Sequence, residues 1–92
     1  DMENHDNLFC QSCGMPLKQE FFGTNADASH NREYCIYCFK DGGFTSDLTM
    51  DQMIEHNLGY LDEFNKDSDR KFTKDEAREE MKKFFPLLKR WQ

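Results

Sequence analysis

The chain has 92 residues, 37% hydrophobic and 33% charged, with a net charge of −6. That length builds one small domain with a lean core, and folding by apolar burial alone is marginal. No apolar run approaches the roughly 20 residues of a membrane span, and no basic-then-apolar N-terminus marks a secretory signal. The acidic balance also lacks the basic face of a general nucleic-acid binder.

Residues 1–7 are polar apart from Met2 and predict a disordered tail. The next 40 residues, 8–47, hold all four cysteines: Cys10 and Cys13, then Cys35 and Cys38. Each pair is C-x-x-C, and 21 residues separate the pairs. Two such clips can close a tetrahedral site of four sulfurs, the geometry zinc prefers. The spacing lies just beyond the 15–20 residues common between paired C-x-x-C zinc clips, and a loop absorbs the difference. Structural zinc is the first reading, with Cys10, Cys13, Cys35 and Cys38 as ligands. Iron in a rubredoxin-like site uses the same thiolates. Two disulfides call for a secreted chain, and a redox-active pair calls for a βαβ context.

The flanking residues agree with a metal site. Gly14 follows Cys13 where the backbone turns tightly, and Pro16 ends that turn. Phe21-Phe22, Glu33-Tyr34 and Phe44-Thr45 are short strand candidates, and Asp41-Gly42-Gly43 is a turn signal. The polar stretch from Gly23 to Arg32 reads as an exposed loop. Phe9, Phe21, Phe22, Phe39 and Phe44 predict a small core around the site.

From Leu48 the periodicity becomes helical. Thr49 to Gln52 is a capping box, with Leu48 and Met53 at the staple positions. Met50, Met53, Ile54, Leu58, Leu61 and Phe64 form one apolar face, predicting a helix over about 50–64. Gly59 weakens it by about 1 kcal/mol. Thr73 to Glu76 repeats the capping box, and Ala77, Met81, Phe84, Phe85 and Leu88 form the second stripe. Pro86 ends or kinks that helix. The expected fold is small α+β: a four-cysteine zinc ribbon of two knuckles and a short antiparallel sheet over 8–47, then an α-hairpin over 48–92. Because the helices carry their own caps, they are expected to keep part of their structure when the metal is removed.

Between the helices, Asn65 to Glu76 has the length of an EF-hand loop, with Asp67, Asp69 and Glu76 at ligand positions. Asn65 removes the first carboxylate, and Arg70 stands where glycine makes the sharp turn. The stretch is read as an ordinary solvated loop. His5, His30 and His56 are scattered and read as surface residues. From Met81 onward the chain carries Lys82, Lys83, Lys89 and Arg90 and no acid. It is the one concentrated positive segment that could meet phosphate.

Several stretches together resemble a known family, the putative zinc-ribbon domain proteins of bacteria and archaea. They are Cys10-Gln-Ser-Cys13-Gly-Met-Pro16, Gly23-Thr-Asn-Ala-Asp27, Tyr34-Cys-Ile-Tyr-Cys38-Phe-Lys-Asp-Gly42, Phe44-Thr45 and Pro86-Leu-Leu-Lys-Arg-Trp91. The resemblance implies zinc on the four cysteines. Members occur alone or beside transcription-regulator domains. The resulting expectation is a cytoplasmic, non-catalytic protein with one structural Zn2+, acting as a protein-interaction or regulatory module. Its rivals are a transcription-associated nucleic-acid binder and an iron or thiol redox protein.

Overall fold

The computed structural model describes residues 8–66 and 69–92. The expected tail over 1–7, His5 and Asp67 lie outside the described residues. The first described element is a tight hairpin from Leu8 to Leu17. Its arms are tied by Leu17 N–H donating to the Leu8 carbonyl at 2.9 Å and by a bridge between Phe9 and Pro16. Cys10 N–H donates to the Met15 carbonyl at 2.8 Å, which leaves Cys10 and Cys13 near the tip.

A 3-10 turn at Gln19–Phe21 leads into β1 (Phe22–Thr24), which pairs antiparallel with β2 (His30–Cys35). A bulge lies between Phe22 and Gly23. The two strands therefore reach into the segment expected as one loop from Gly23 to Arg32, and the true turn is short. The polar residues are what close it. Asn25 N–H donates to the Ser29 carbonyl at 2.8 Å, Asn31 Nδ2 donates to Asn25 Oδ1 at 2.9 Å, and the Asp27 carboxylate accepts from Ser29 N–H at 3.0 Å. Short polar side chains folding back on their own backbone are turn formers, not only solvated loop.

β3 (Phe39–Lys40) and β4 (Gly43–Phe44) form a second two-stranded sheet. Asp41 and Gly42 sit between them with φ of 53° and 86°. Positive φ at both central residues is the two-residue hairpin turn that Asp-Gly favours. Tyr34, Phe39 and Phe44 cluster beneath, with ring centroids 5.0–5.3 Å apart. β1 and the β3 hairpin meet closely. A Cβ on Gly23 would stand 2.5 Å from the Phe39 carbonyl oxygen, so no side chain fits there.

Both capping boxes are made. Thr49 Oγ1 accepts from Gln52 N–H at 3.1 Å while Gln52 Oε1 accepts from Thr49 N–H at 2.9 Å. Thr73 and Glu76 repeat the exchange at 3.1 and 2.9 Å. They open α1 (Met50–Leu58) and α3 (Lys74–Phe84). The helix expected over about 50–64 is two helices, α1 and α2 (Leu61–Lys66). At the junction, Gly59 and Tyr60 N–H groups bond the His56 and Asn57 carbonyls at 3.1 and 2.9 Å, three residues back instead of four. Gly59 has no side chain to hold a regular turn against this tightening. Phe64, counted in the buried face, is consequently 60% exposed. Its centroid lies 6.3 Å from Phe72.

Pro86 ends α3 as expected, and 3-10 turns follow at Phe85–Leu87 and Lys89–Trp91. Met53, Ile54, Leu58, Leu61, Ala77, Phe85 and Leu88 are buried in one continuous cluster with Cys10, Leu17, Phe22, Tyr34, Cys35 and Cys38. The helices and the cysteine-bearing half share a single core. No helix among the described residues is long and apolar enough to cross a membrane.

Candidate metal centre

The two C-x-x-C clips meet face to face. Cys10, Cys13, Cys35 and Cys38 place their Sγ atoms all within 4.8 Å of one another. Among the described residues no other group of histidine, cysteine or carboxylate side chains converges in this way. Cys13 Sγ and Cys35 Sγ are 3.8 Å apart, and all four residues are free thiols. Cys10, Cys35 and Cys38 are buried, and Cys13 is partly exposed.

Local backbone makes each clip. Gly14 N–H donates to the Cys10 carbonyl at 2.9 Å, and Gly14 adopts a φ of 76° that glycine tolerates. The same glycine leaves room for a neighbour, because a Cβ there would stand 2.9 Å from the Phe84 ring. In the second clip, Cys38 N–H donates to the Cys35 carbonyl at 3.0 Å. Thr45 anchors that clip by its N–H to the Cys38 carbonyl at 2.9 Å and its hydroxyl to the Tyr37 carbonyl at 2.6 Å.

The sulfurs are not equivalent. Cys10 Sγ accepts from Cys13 N–H at 3.5 Å and from Cys35 N–H at 3.3 Å. The nearby Ser12 hydroxyl favours the Cys38 thiolate, though less than Cys10 opposes it. Hydrogen bonds from the Cys13 thiol, then from Cys35 and Cys38, pull the Cys10 thiol far below its usual range. Cys13 is pushed far up, chiefly by its hydrogen bond to Cys10, and Cys38 is also raised by Cys10. Four thiols this close cannot all release their protons without a cation to take up the charge. The donor set fits a soft or borderline tetrahedral metal ion.

Ser12 and Arg90 are functional-site neighbours that sequence reasoning missed. Ser12 is fully buried, and its hydroxyl accepts from Arg90 Nη1 at 2.9 Å. Arg90 Nη2 also donates to the Ser46 carbonyl at 2.7 Å, and its guanidinium lies 4.1 Å from the Phe44 ring centroid. Lys89 Nζ is 2.7 Å from Glu33 Oε2. Lys83 is 3.6 Å from Glu80. With Lys83, three of the four basic residues of the expected segment have partners inside the chain. No local sequence signal links residues 12 and 90. A serine between two metal-clip cysteines was the one available hint.

The other candidates fall elsewhere. His30 lies against Phe22 and His56 against Tyr60, with centroids 5.8 and 5.5 Å apart, both away from the cysteines. In the loop compared with an EF-hand, Asn65 is occupied by backbone. Its Nδ2 donates to the Phe72 carbonyl at 2.8 Å and its Oδ1 accepts from Phe72 N–H at 3.0 Å. Glu76 Oε1 is taken by the Thr73 cap.

Over residues 9–92 the sequence matches the family described as putative zinc ribbon domain. The chain belongs to that family. No curated protein and no solved structure matched it. Membership names zinc as the cation this donor set suits. The match runs through the helical half, so α1, α3 and the tail ending at Gln92 are part of the family's domain rather than an appendage.

Proposed function

We propose that this zinc-ribbon protein holds one Zn2+ on Cys10, Cys13, Cys35 and Cys38, and that the ion is structural. The convergence of four thiol sulfurs within 4.8 Å is the observation that carries the reading. Four sulfurs fill a tetrahedral shell and leave no position for water or substrate, so the centre supplies folding energy rather than catalysis. That energy is on the order of 10 kcal/mol in small zinc domains. The residues around the ion do the rest: Cys13 and Cys35 N–H groups direct Cys10. Metal analysis of purified protein tests this, with one zinc per chain expected. Absence of zinc together with absence of titratable thiols would replace it with the disulfide reading. Iron at the same stoichiometry, with a red colour, would replace it with the rubredoxin-like reading.

On this scaffold the protein acts as a non-catalytic interaction or regulatory module of the cytoplasm, where reduced thiols persist. Its partner is another protein. Tyr37, Tyr60, Phe64 and Leu87 are large exposed side chains, whereas Lys89 and Arg90 are engaged within the chain. Apolar docking is little affected by salt, while phosphate binding weakens steeply as salt rises. Fluorescence anisotropy on duplex DNA at physiological salt is expected to show nothing tighter than about micromolar, the non-specific range. Nanomolar, sequence-selective binding would move the assignment to a transcription-associated nucleic-acid binder.

A further inference from the structure

Arg90 reaches both knuckles from outside them. Its Nη1 donates to the Ser12 hydroxyl at 2.9 Å, and Ser12 is fully buried between the ligands Cys10 and Cys13. Its Nη2 donates to the Ser46 carbonyl at 2.7 Å. Ser46 follows Thr45, whose N–H and hydroxyl donate to the Cys38 and Tyr37 carbonyls at 2.9 and 2.6 Å. One guanidinium therefore spans from the first clip to the segment that anchors the second.

The span is itself held in place. The Arg90 N–H donates to the Gln11 carbonyl at 3.0 Å. The guanidinium carbon lies 4.1 Å from the Phe44 ring centroid and 4.6 Å from that of Trp91. A planar guanidinium presents its donors as a rigid fork and stacks on aromatic faces, whereas the lysine ammonium is a single point on a flexible stem. The contacts of Arg90 use both the fork and the plane.

We propose that Arg90 is a positioning residue for the metal centre: it fixes the separation of the two knuckles, and with it the arrangement of the four sulfurs and their hold on the ion. This rests on the zinc reading. Each clip supplies two sulfurs, so a closed shell of four requires the clips to stand at one particular distance. A scaffold that sets this distance in advance spares the ion the cost of ordering it. Groups outside the ligands that orient them are worth about 10–100-fold in metal affinity.

The test uses the whole chain, assayed for zinc before measurement. Arg90→Gln removes the fork. Arg90→Lys keeps the charge but cannot span both acceptors. Trp91→Phe loses a different bond of the same turn, from Nε1 to the Ser12 carbonyl, and keeps a ring beside the guanidinium. Competition with a chelator of known affinity is expected to show zinc held about 10-fold more weakly by both Arg90 variants, the lower end of that range. Weaker binding also follows from lost stability, because metal binding and folding are linked. Loading with Co2+ separates the two causes, since its ligand-field bands report the arrangement of sulfurs in those molecules that hold metal. The bands are expected to shift in both Arg90 variants and to stay in place in Trp91→Phe. Superimposable bands in all the proteins, or wild-type affinity in Arg90→Lys, overturn the proposal and leave the zinc reading standing. Wild-type protein that takes up no zinc overturns both. Should the Arg90 variants fail to fold in excess metal, the native chain carries the test. Zinc-loaded wild type is expected to give separate Nη1 and Nη2 resonances for Arg90, each held by its own acceptor, and one averaged signal overturns the bridge.

Discussion

Trp91 Nε1 donates to the Ser12 carbonyl at 2.7 Å, joining positions 79 residues apart. One residue earlier, Arg90 N–H donates to the Gln11 carbonyl at 3.0 Å, and Lys89 N–H donates to Gln11 Oε1 at 3.0 Å. The C-terminal turn is a clasp over the first knuckle. Trp91→Phe keeps a six-membered aromatic ring but removes the donor, leaving the carbonyl of the fully buried Ser12 unpaired. The expected cost is about 1–3 kcal/mol. At this size each kcal/mol lowers the melting temperature by about 4–8 °C. Calorimetry that finds no change would show the knuckle holding its shape without the clasp.

Zinc removal should unfold both halves together. The caps of α1 and α3 argue for residual helix, but the buried faces of those helices rest on the same cluster as Cys10, Cys35 and Cys38. The energy supplied by a structural zinc, on the order of 10 kcal/mol, is comparable with a domain's whole stability of about 5–15 kcal/mol. Chelation followed in parallel by far-ultraviolet circular dichroism and NMR is expected to show one coincident loss. Retained helical signal after the ribbon resonances collapse would mean that α1 and α3 are stable alone.

Gly23→Ala should be far more harmful than Gly43→Ala. The new methyl at position 23 meets the Phe39 carbonyl at 2.5 Å and the Cys35 and Tyr34 carbonyls at 3.1 Å. Backbone atoms cannot step aside, so about 1–3 kcal/mol of overpacking is the minimum expected. At Gly43 the methyl meets nothing within 4 Å. Equal denaturation midpoints for the two variants would contradict this packing of β1 on the β3 hairpin.

One ion pair ties α1 to α3 and predicts a pH dependence. Arg78 Nε and Nη2 donate to the Glu55 carboxylate at 2.7 and 3.2 Å. The hydrogen bond from Arg78 holds the Glu55 carboxyl below its ordinary value. A lowered folded-state pKa means the pair's stabilisation is present above the unfolded value, near about 4.3. It is lost as pH falls through the folded value. Wild type should therefore exceed Glu55→Gln in stability at neutral pH, by a small margin because the pair is exposed. The gap should close on acidification, and a gap that widens below pH ~4 would reverse the assignment.

Calcium should leave the segment between α2 and α3 unchanged. Asn65 is spent on the Phe72 backbone and Glu76 on its own helix cap. Calcium titrated to ~1 mM, the weak end of the range for such loops, is expected to produce no heat. It should also leave the Phe72 and Thr73 amide resonances in place. Saturable heat abolished by Glu76→Gln would overturn the solvated-loop reading.

What the sequence determined by itself is whatever closes within a few residues. The C-x-x-C clips, the Asp41-Gly42 turn, the boxes at Thr49–Gln52 and Thr73–Glu76 and the stop at Pro86 each have donor and acceptor within one turn of chain. Residue type and spacing therefore specify them. Even the family resemblance rested on such local strings. The tertiary structure alone decided which distant groups meet: Trp91 and Arg90 on Ser12, Phe84 over Gly14, the Phe39 carbonyl against Gly23, and a break at Gly59 that turns Phe64 outward. A single chain carries no periodic signal for partners 79 residues apart. Their pairing is fixed only when the four sulfurs converge and the leftover polar groups of the first knuckle must find donors in the shared core. For the same reason the four cysteines are equivalent in the sequence. Two backbone N–H groups single out Cys10, and Cys13 is the one residue of the four that is not fully buried.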